Sequence, residues 1–181
     1  MQNLLDLILT TFIFFLPAGV ANMMPVLFSK VPFLNVPMDF GYSFRGKRIF
    51  GDHKTWRGLV FGIGGAALIS YLIWRVPMEP GTVAVEISFR DSIILGVALG
   101  LGALLGDAIK SFFKRQIGIK PGGSWVPFDQ IDWILGALIA VHFFVAPQPV
   151  AVWITTLVLF GLLHPVINVG GYLLKIKKNK F

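Results

Sequence analysis

Asp107 stands inside an apolar stretch, in the run Leu104-Leu105-Gly106-Asp107-Ala108-Ile109. If that stretch is a helix ending near Phe113, the carboxylate lies roughly 9 Å in from its end, at ~1.5 Å per residue. A carboxylate at such depth is costly, and an ionisable group inside a membrane span is a functional candidate by default. Lys110 follows one turn later and Lys114 one turn after that, so the three share a face. An internal ion pair of Asp107 with Lys110 would account for the same residues by packing alone.

A second acidic feature lies downstream. Asp129 and Asp132 have i, i+3 spacing, and on a helix their Cβ atoms fall about 5–6 Å apart on one face. Two carboxylates so placed can share a hard cation. Mg²⁺ prefers one or two carboxylates together with water and substrate phosphates. Capping is the competing use, since aspartates in a first turn complement the helix dipole. Between the acidic features lie Lys110, Lys114, Arg115 and Lys120, then Pro121-Gly122-Gly123-Ser124, whose backbone amides could line an anion. An upstream run, Gly41 to Gly58, interleaves glycine, cation and aromatic residues. Aspartates for a metal, cations for phosphates and a membrane-edge position together indicate phosphoryl or nucleotidyl transfer on a lipid.

These residues need a frame that holds them at a membrane edge, and the composition supplies one. Of the 181 residues 55% are hydrophobic and 14% charged, against roughly 25% charged in soluble domains. The apolar residues come in long blocks, which read as membrane spans. The fold class expected is therefore an all-α integral membrane protein of about five transmembrane helices with two cytoplasmic polar loops. The spans fall at about 4–28, 58–76, 92–113, 129–146 and 150–174 of a single polytopic domain. Pro17 and Pro25 predict a kink or an early end in the first span. That span, at about 25 residues, is too long for a signal-peptide core and is expected in the mature protein. There is no cysteine, which excludes disulfides and thiolate metal sites.

The net charge of +7 is concentrated between the apolar blocks. That pattern suits membrane topology and anionic phosphate ligands, and no nucleic acid partner is expected. Residues 29–57, 114–132 and the tail carry Lys30, Arg45, Lys47, Arg48, Lys54, Arg57, Lys114, Arg115, Lys120 and four terminal lysines. The opposite side has only Arg75 and Arg90, beside Glu79, Glu86 and Asp91. The asymmetry places both long polar loops and the tail in the cytoplasm. Gly58/Gly62, Gly96/Gly100 and Gly102/Gly106 have the spacing that lets helix backbones approach closely in lipid. Packing within one chain is the first use of such spacing, and a homodimer the second. His142 reads as structural, and His164 with Asn168 as partners for another helix. No G-x-x-x-x-G-K-[ST], H-E-x-x-H or G-x-S-x-G motif occurs.

The run Gly106-Asp107-Ala108-Ile109-Lys110-Ser111-Phe112-Phe113-Lys114-Arg115, then Ile119-Lys120, Gly122-Gly123 and Asp129-Gln130-Ile131-Asp132, resembles the signature of the CTP-dependent phosphatidate cytidylyltransferases (CDP-diacylglycerol synthases). That signature has the form G-D-x-x-x-S-x-x-K-R, K-D, G-G and D-x-x-D. Lys54-Thr55-Trp56-Arg57-Gly58 resembles the K-T-x-E-G element that precedes it. Two positions depart: Pro121 stands where the family has an acidic residue, and Arg57 where glutamate is usual. One metal ligand of the bacterial pattern is thus lost or supplied by another residue. The short, five-span form is similar to the archaeal CDP-archaeol synthases.

The resemblance implies transfer of the cytidylyl group of CTP to an isoprenoid ether-lipid phosphate, digeranylgeranylglyceryl phosphate, with Mg²⁺ as cofactor. It implies Asp107, Lys114 and Arg115 as catalytic residues and Asp107, Asp129 and Asp132 as metal ligands. Substrate contacts would come from Arg45, Lys47, Arg48, Asp52, Lys54, Thr55 and Arg57 in the first loop, and from Lys110, Ser111, Lys120, Gly122 and Gly123 in the second. A CTP-dependent polyprenol kinase shares the general signature, and a small membrane transporter would also explain intramembrane charge. A CDP-alcohol phosphatidyltransferase would need a D-G-x-x-A-R run, which is absent.

The topology is directly testable. Cysteines introduced at Ser43 and Asn179 should resist an impermeant thiol reagent in intact cells and react after lysis. Labelling of either in unbroken cells would reverse the orientation.

Overall fold

A computed structural model describes residues 3–76, 88–121 and 123–174. Glu79, Glu86, Gly122 and the terminal lysines lie outside the described residues. Five helices follow one another: α1 (Leu4–Leu27), α2 (Trp56–Arg75), α3 (Phe89–Gln116), α4 (Phe128–Phe144) and α5 (Val150–Leu173). A two-residue hairpin, β1 (Ser43–Phe44) paired antiparallel with β2 (Lys47–Arg48), lies in the loop between α1 and α2. Helices α1, α2, α3 and α5 are long and apolar enough to cross a membrane. The α4 helix, at 17 residues, is shorter. The chain is a multi-pass membrane protein.

The helix ends follow capping chemistry. Asn3 opens α1 with a reciprocal box, its Oδ1 accepting from the Asp6 amide at 2.8 Å. The α1 helix continues through both Pro17 and Pro25 to Leu27, so neither proline ends it at once. Thr55 caps α2, its Oγ1 accepting from Gly58 N at 3.2 Å. The α3 helix extends beyond the expected span at both ends. Ser88 caps it through Asp91 N at 3.1 Å, and Lys114 and Arg115 form its last turn, where cations complement the dipole. Arg90, Asp91, Lys114 and Arg115 lower the hydropathy at those ends, so a span bounded by hydropathy falls short of the helix.

Helix α3 is the centre of the bundle and packs on α1, α2 and α4, while α5 flanks α1 and α4. Phe15, Leu99, Ile134, Leu138 and Val141 are fully buried between them. Much of α5 points outward, with Leu162 and Val166 exposed on the face that lipid would cover. The glycine pairs are used inside the chain. A Cβ on Gly62 would strike Leu104 and the Ala21 carbonyl, and one on Gly96 or Gly100 would strike Ala66 and its neighbours on α2. The nearest approach is between α3 and α4. There a Cβ on Gly106 would overlap the Asp132 carbonyl, and one on Gly136 would overlap the Gly102 carbonyl.

The first polar loop is closed around Asp39, whose side chain is fully buried. Its carboxylate accepts from the backbone amides of Gly41 at 3.0 Å and of Phe50 and Gly51 at 2.9 Å each. Arg48 adds Nη2–Oδ1 at 2.7 Å. Burial pushes the Asp39 pKa upward, but the Arg48 guanidinium and the three amides outweigh it and hold the carboxyl well below the usual range. Backbone pairs Met38 N to Lys54 O and Trp56 N to Val36 O then tie the end of the loop to its beginning.

Gly136→Val should lower the melting temperature in detergent by the equivalent of about 1–3 kcal/mol, since overpacking separates the helices. Gly64→Ala, where a Cβ meets open space, should leave the melting temperature unchanged or raise it. Asp39→Asn should accelerate trypsin cleavage at Arg45, Lys47 and Arg48 at least ~10-fold at neutral pH, because charge-assisted bonds are lost. A depressed carboxyl pKa gives stability that is full above the unfolded value and lost as pH falls through the folded one. The wild-type loop should therefore still resist protease near pH ~4, where an ordinary carboxylate is half protonated.

Candidate active site

Helices α3 and α4 and the end of the first loop bring their charges to one place. Lys110 Nζ lies 3.1 Å from Asp107 Oδ1, 2.8 Å from Asp129 Oδ1 and 3.0 Å from Asp132 Oδ2. Lys54, arriving from the loop, pairs with Asp107 Oδ2. Lys114 Nζ contacts both oxygens of Asp129 at 2.9 and 3.0 Å. Three carboxylates are thus interleaved with three ammonium groups, all largely withdrawn from solvent. The i, i+3 pair Asp129 and Asp132 does share a face, and that face meets the Asp107–Lys110 face of α3. Asp129 is also fixed from the backbone, its Oδ2 accepting from Trp125 N at 2.5 Å.

The other predicted cations make their contacts outside this cluster. Lys47 Nζ donates to the Gln116 carbonyl at 2.5 Å and ties the hairpin to the end of α3. Arg115 lies beside Gly51 and donates to the Lys120 carbonyl at 3.1 Å, so it links the two polar loops. Lys120 is exposed, and Gly123 N closes a turn onto its carbonyl at 3.0 Å. Arg45 is exposed over the Phe44 ring at 5.3 Å. Arg48 joins Asp39 to the exposed Asp52, 2.6 Å away. Ser111 is half-buried beside the cluster on α3.

Two predicted contacts are occupied by the fold. Thr55 is the α2 cap, and Arg57 is buried with Nη1 donating to the Val31 carbonyl at 2.6 Å. Both shape the first loop. Asp39 is not among the predicted site residues, yet it closes the first loop. The signal that it organises the loop is Asp39-Phe40-Gly41, an aspartate two residues before a glycine, as in an Asx-turn. Gly41 and Gly46 indeed have φ of +85° and +76°. Of the histidines, His164 Nδ1 accepts from Trp133 Nε1 at 2.9 Å, and His142 Nδ1 from Gln148 N at 3.0 Å.

The cluster opens on one side into an apolar groove of about 500 Å³ between α3 and α4. Lys110 and Asp132 stand in its wall, with Leu105, Phe113, Ile131 and Leu135 along it. A charged centre adjoining an apolar groove suits an amphiphile whose polar end is anionic. The carboxylate set also has the right donors for a hard cation. Asp132 Oδ2 is buried without a hydrogen bond, although it faces the Lys110 ammonium. Among the described residues no three acidic or histidine side chains hold a metal position as they stand. The carboxylates converge, but an ammonium occupies their meeting point.

Comparison with known proteins agrees with this chemistry. The family model CarS-like, CDP-archaeol synthase, matches residues 4–181. A CDP-archaeol synthase of Methanosarcina barkeri is 34% identical, with 90% of this chain and 98% of the relative aligned. One from Methanococcus aeolicus is 36% identical over 97% and 98% of the two chains, and one from Pyrobaculum arsenaticum 36% over 92% and 96%. A solved structure of an intramembrane enzyme for archaeal membrane lipid biosynthesis superimposes with a TM-score of 0.73 at 31% identity, covering 90% of this chain and 94% of that one. The chain belongs to the CDP-archaeol synthase family.

Proposed function

We propose that this protein transfers the cytidylyl group of CTP to digeranylgeranylglyceryl phosphate, releasing pyrophosphate. The observation that carries this reading is the convergence of Asp107, Asp129 and Asp132 at the mouth of an apolar groove. An oxygen of the lipid phosphate attacks the α-phosphorus of CTP. The bond from that phosphorus to the oxygen bridging it to the β-phosphate breaks, and the electron pair leaves on pyrophosphate. The attacking oxygen is already anionic, so no strong general base is needed. The protein's task is to position two polyanions against their mutual repulsion.

Asp107, Asp129 and Asp132 would hold Mg²⁺, which when bound supplies positive charge to the triphosphate. Lys114 and Arg115 lie nearest the reacting phosphates in this reading, with Lys110 and Lys120 neutralising the rest of the charge. The clasped first loop, presenting Arg45, Lys47, Arg48 and Lys54, covers the nucleotide. Thr55 and Arg57 hold that loop in shape. The isoprenoid chains lie against α3 and α4 in the groove, with the phosphate at Lys110. The site faces the cytoplasm, where CTP is available.

Label position separates this reaction from a kinase. With Mg²⁺ and the ether-lipid phosphate, α-labelled CTP should label the lipid, while γ-labelled CTP should label only pyrophosphate. Lipid labelled from the γ-position would make the protein a kinase. Asp129→Asn and Asp132→Asn should each reduce turnover by at least ~10²-fold, the scale of losing a transition-state charge stabiliser. Near-normal turnover in both would remove the pair from the metal site.

A further inference from the structure

Lys110 stands between Asp107 and Ser111, at a place written x in the signature that this run resembles. In the structure it is the centre of the cluster. Its ammonium touches all three carboxylates, whereas Lys54 reaches Asp107 alone and Lys114 reaches Asp129 alone. Three carboxylates this close repel one another strongly where solvent is excluded. A cation must stand among them for α3 and α4 to meet. Lysine suits the task, being a compact charge on a flexible stem. Its side chain also lines the apolar groove.

One oxygen can face two cations from different sides, as Asp129 Oδ1 faces Lys110 and Lys114, but two cations cannot stand at one point. A magnesium ion takes its oxygens at about 2.0–2.1 Å, and the ammonium already occupies the point on which they converge. We propose that Lys110 is an exchangeable counter-cation, which neutralises Asp107, Asp129 and Asp132 in the empty protein and yields their oxygens when a divalent cation binds. The inference rests on the reading of these aspartates as the metal site. Exchange changes the charge of the centre. Before it, three carboxylates face three ammonium groups and cancel. After it, the divalent ion is added and the Lys110 ammonium gives up its contacts with the three carboxylates. The centre becomes positive only once metal is present, so polyphosphate and lipid phosphate are drawn to a loaded site. Asp132 Oδ2 is buried with the Lys110 ammonium 3.0 Å away, so a metal at this oxygen would take the ammonium's place.

The test uses the full chain in detergent without nucleotide, with melting temperature followed across a Mg²⁺ series. Lys110→Met and the milder Lys110→Gln should both melt below wild type without Mg²⁺. Both should be restored by Mg²⁺ at a half-effective concentration at least ~10-fold lower than wild type, because ligand binding to the folded state raises its stability. Lys54→Met removes one positive charge from the same cluster but not from its centre, and should shift that concentration much less. A shift in Lys54→Met equal to that in Lys110→Met would mean bulk electrostatics and overturn the proposal. So would Lys110 variants with wild-type Mg²⁺ dependence, or variants unfolded with and without Mg²⁺. The underlying reading fails separately: in that case wild type shows no Mg²⁺ dependence, or Asp132→Asn retains it in full.

Discussion

The distance between α3 and α4 governs everything at the charged end of this protein. Gly102 and Gly106 on one helix and Gly136 on the other let two backbones come into direct contact. Asp107 and Asp132 adjoin that contact in sequence, so the approach that packs the bundle also fixes the separation of the carboxylates. Side chains larger than hydrogen at the crossing would move the carboxylates apart along with the helices. Small residues in a membrane bundle compensate for the lack of a hydrophobic driving force between helices. Here they also set the geometry of a charged centre.

The carboxylates have a second constraint, since burying them needs charge of opposite sign at contact distance. Lys110 and Lys114 provide it from α3 itself, one and two turns beyond Asp107. Lys54 provides it from a loop that would be too long to be precise without an internal fastener. Asp39 is that fastener. It gathers three amides and a guanidinium, folds residues 39–51 on themselves, and so delivers Lys54 to Asp107. A buried ion cluster in a membrane protein thus depends on a second, separate carboxylate outside it.

Much of this was legible in the sequence because hydropathy blocks and charge asymmetry are strong signals. Helices α1, α2 and α5 begin and end within about two residues of expectation, and α4, Phe128–Phe144, starts one residue before the expected 129 and ends two before the expected 146. Asp107, Lys110, Lys114, Asp129 and Asp132 stand out from depth and spacing, whereas Lys54 stands out only through the resemblance of residues 54–58 to a family element. The ends of α3 were not, since Arg90, Lys114 and Arg115 look like loop residues until Ser88 and the helix dipole are considered. The loop was legible in composition but not in wiring. Arg57 and Thr55 have the chemistry of ligand contacts, yet Arg57 is bound to Val31 O and Thr55 to Gly58 N. Such local uses leave no periodic trace. Nor does the central place of Lys110, which depends on α4 meeting α3 and not on any spacing within α3.

The groove between α3 and α4 has walls that reach the outer surface of the bundle, where Leu105, Ile109, Phe113 and Ile139 are substantially exposed. In a bilayer that surface is bathed in acyl or isoprenoid chains. On the proposed reading, the lipid therefore enters sideways, by two-dimensional diffusion, and never leaves the membrane. Its effective concentration is its mole fraction in the leaflet, not its amount per volume of cell. Mixing inert lipid into the bilayer would slow the reaction at constant total substrate, while added water would not. The nucleotide obeys ordinary bulk kinetics from the other side, so the two substrates meet under different laws of dilution.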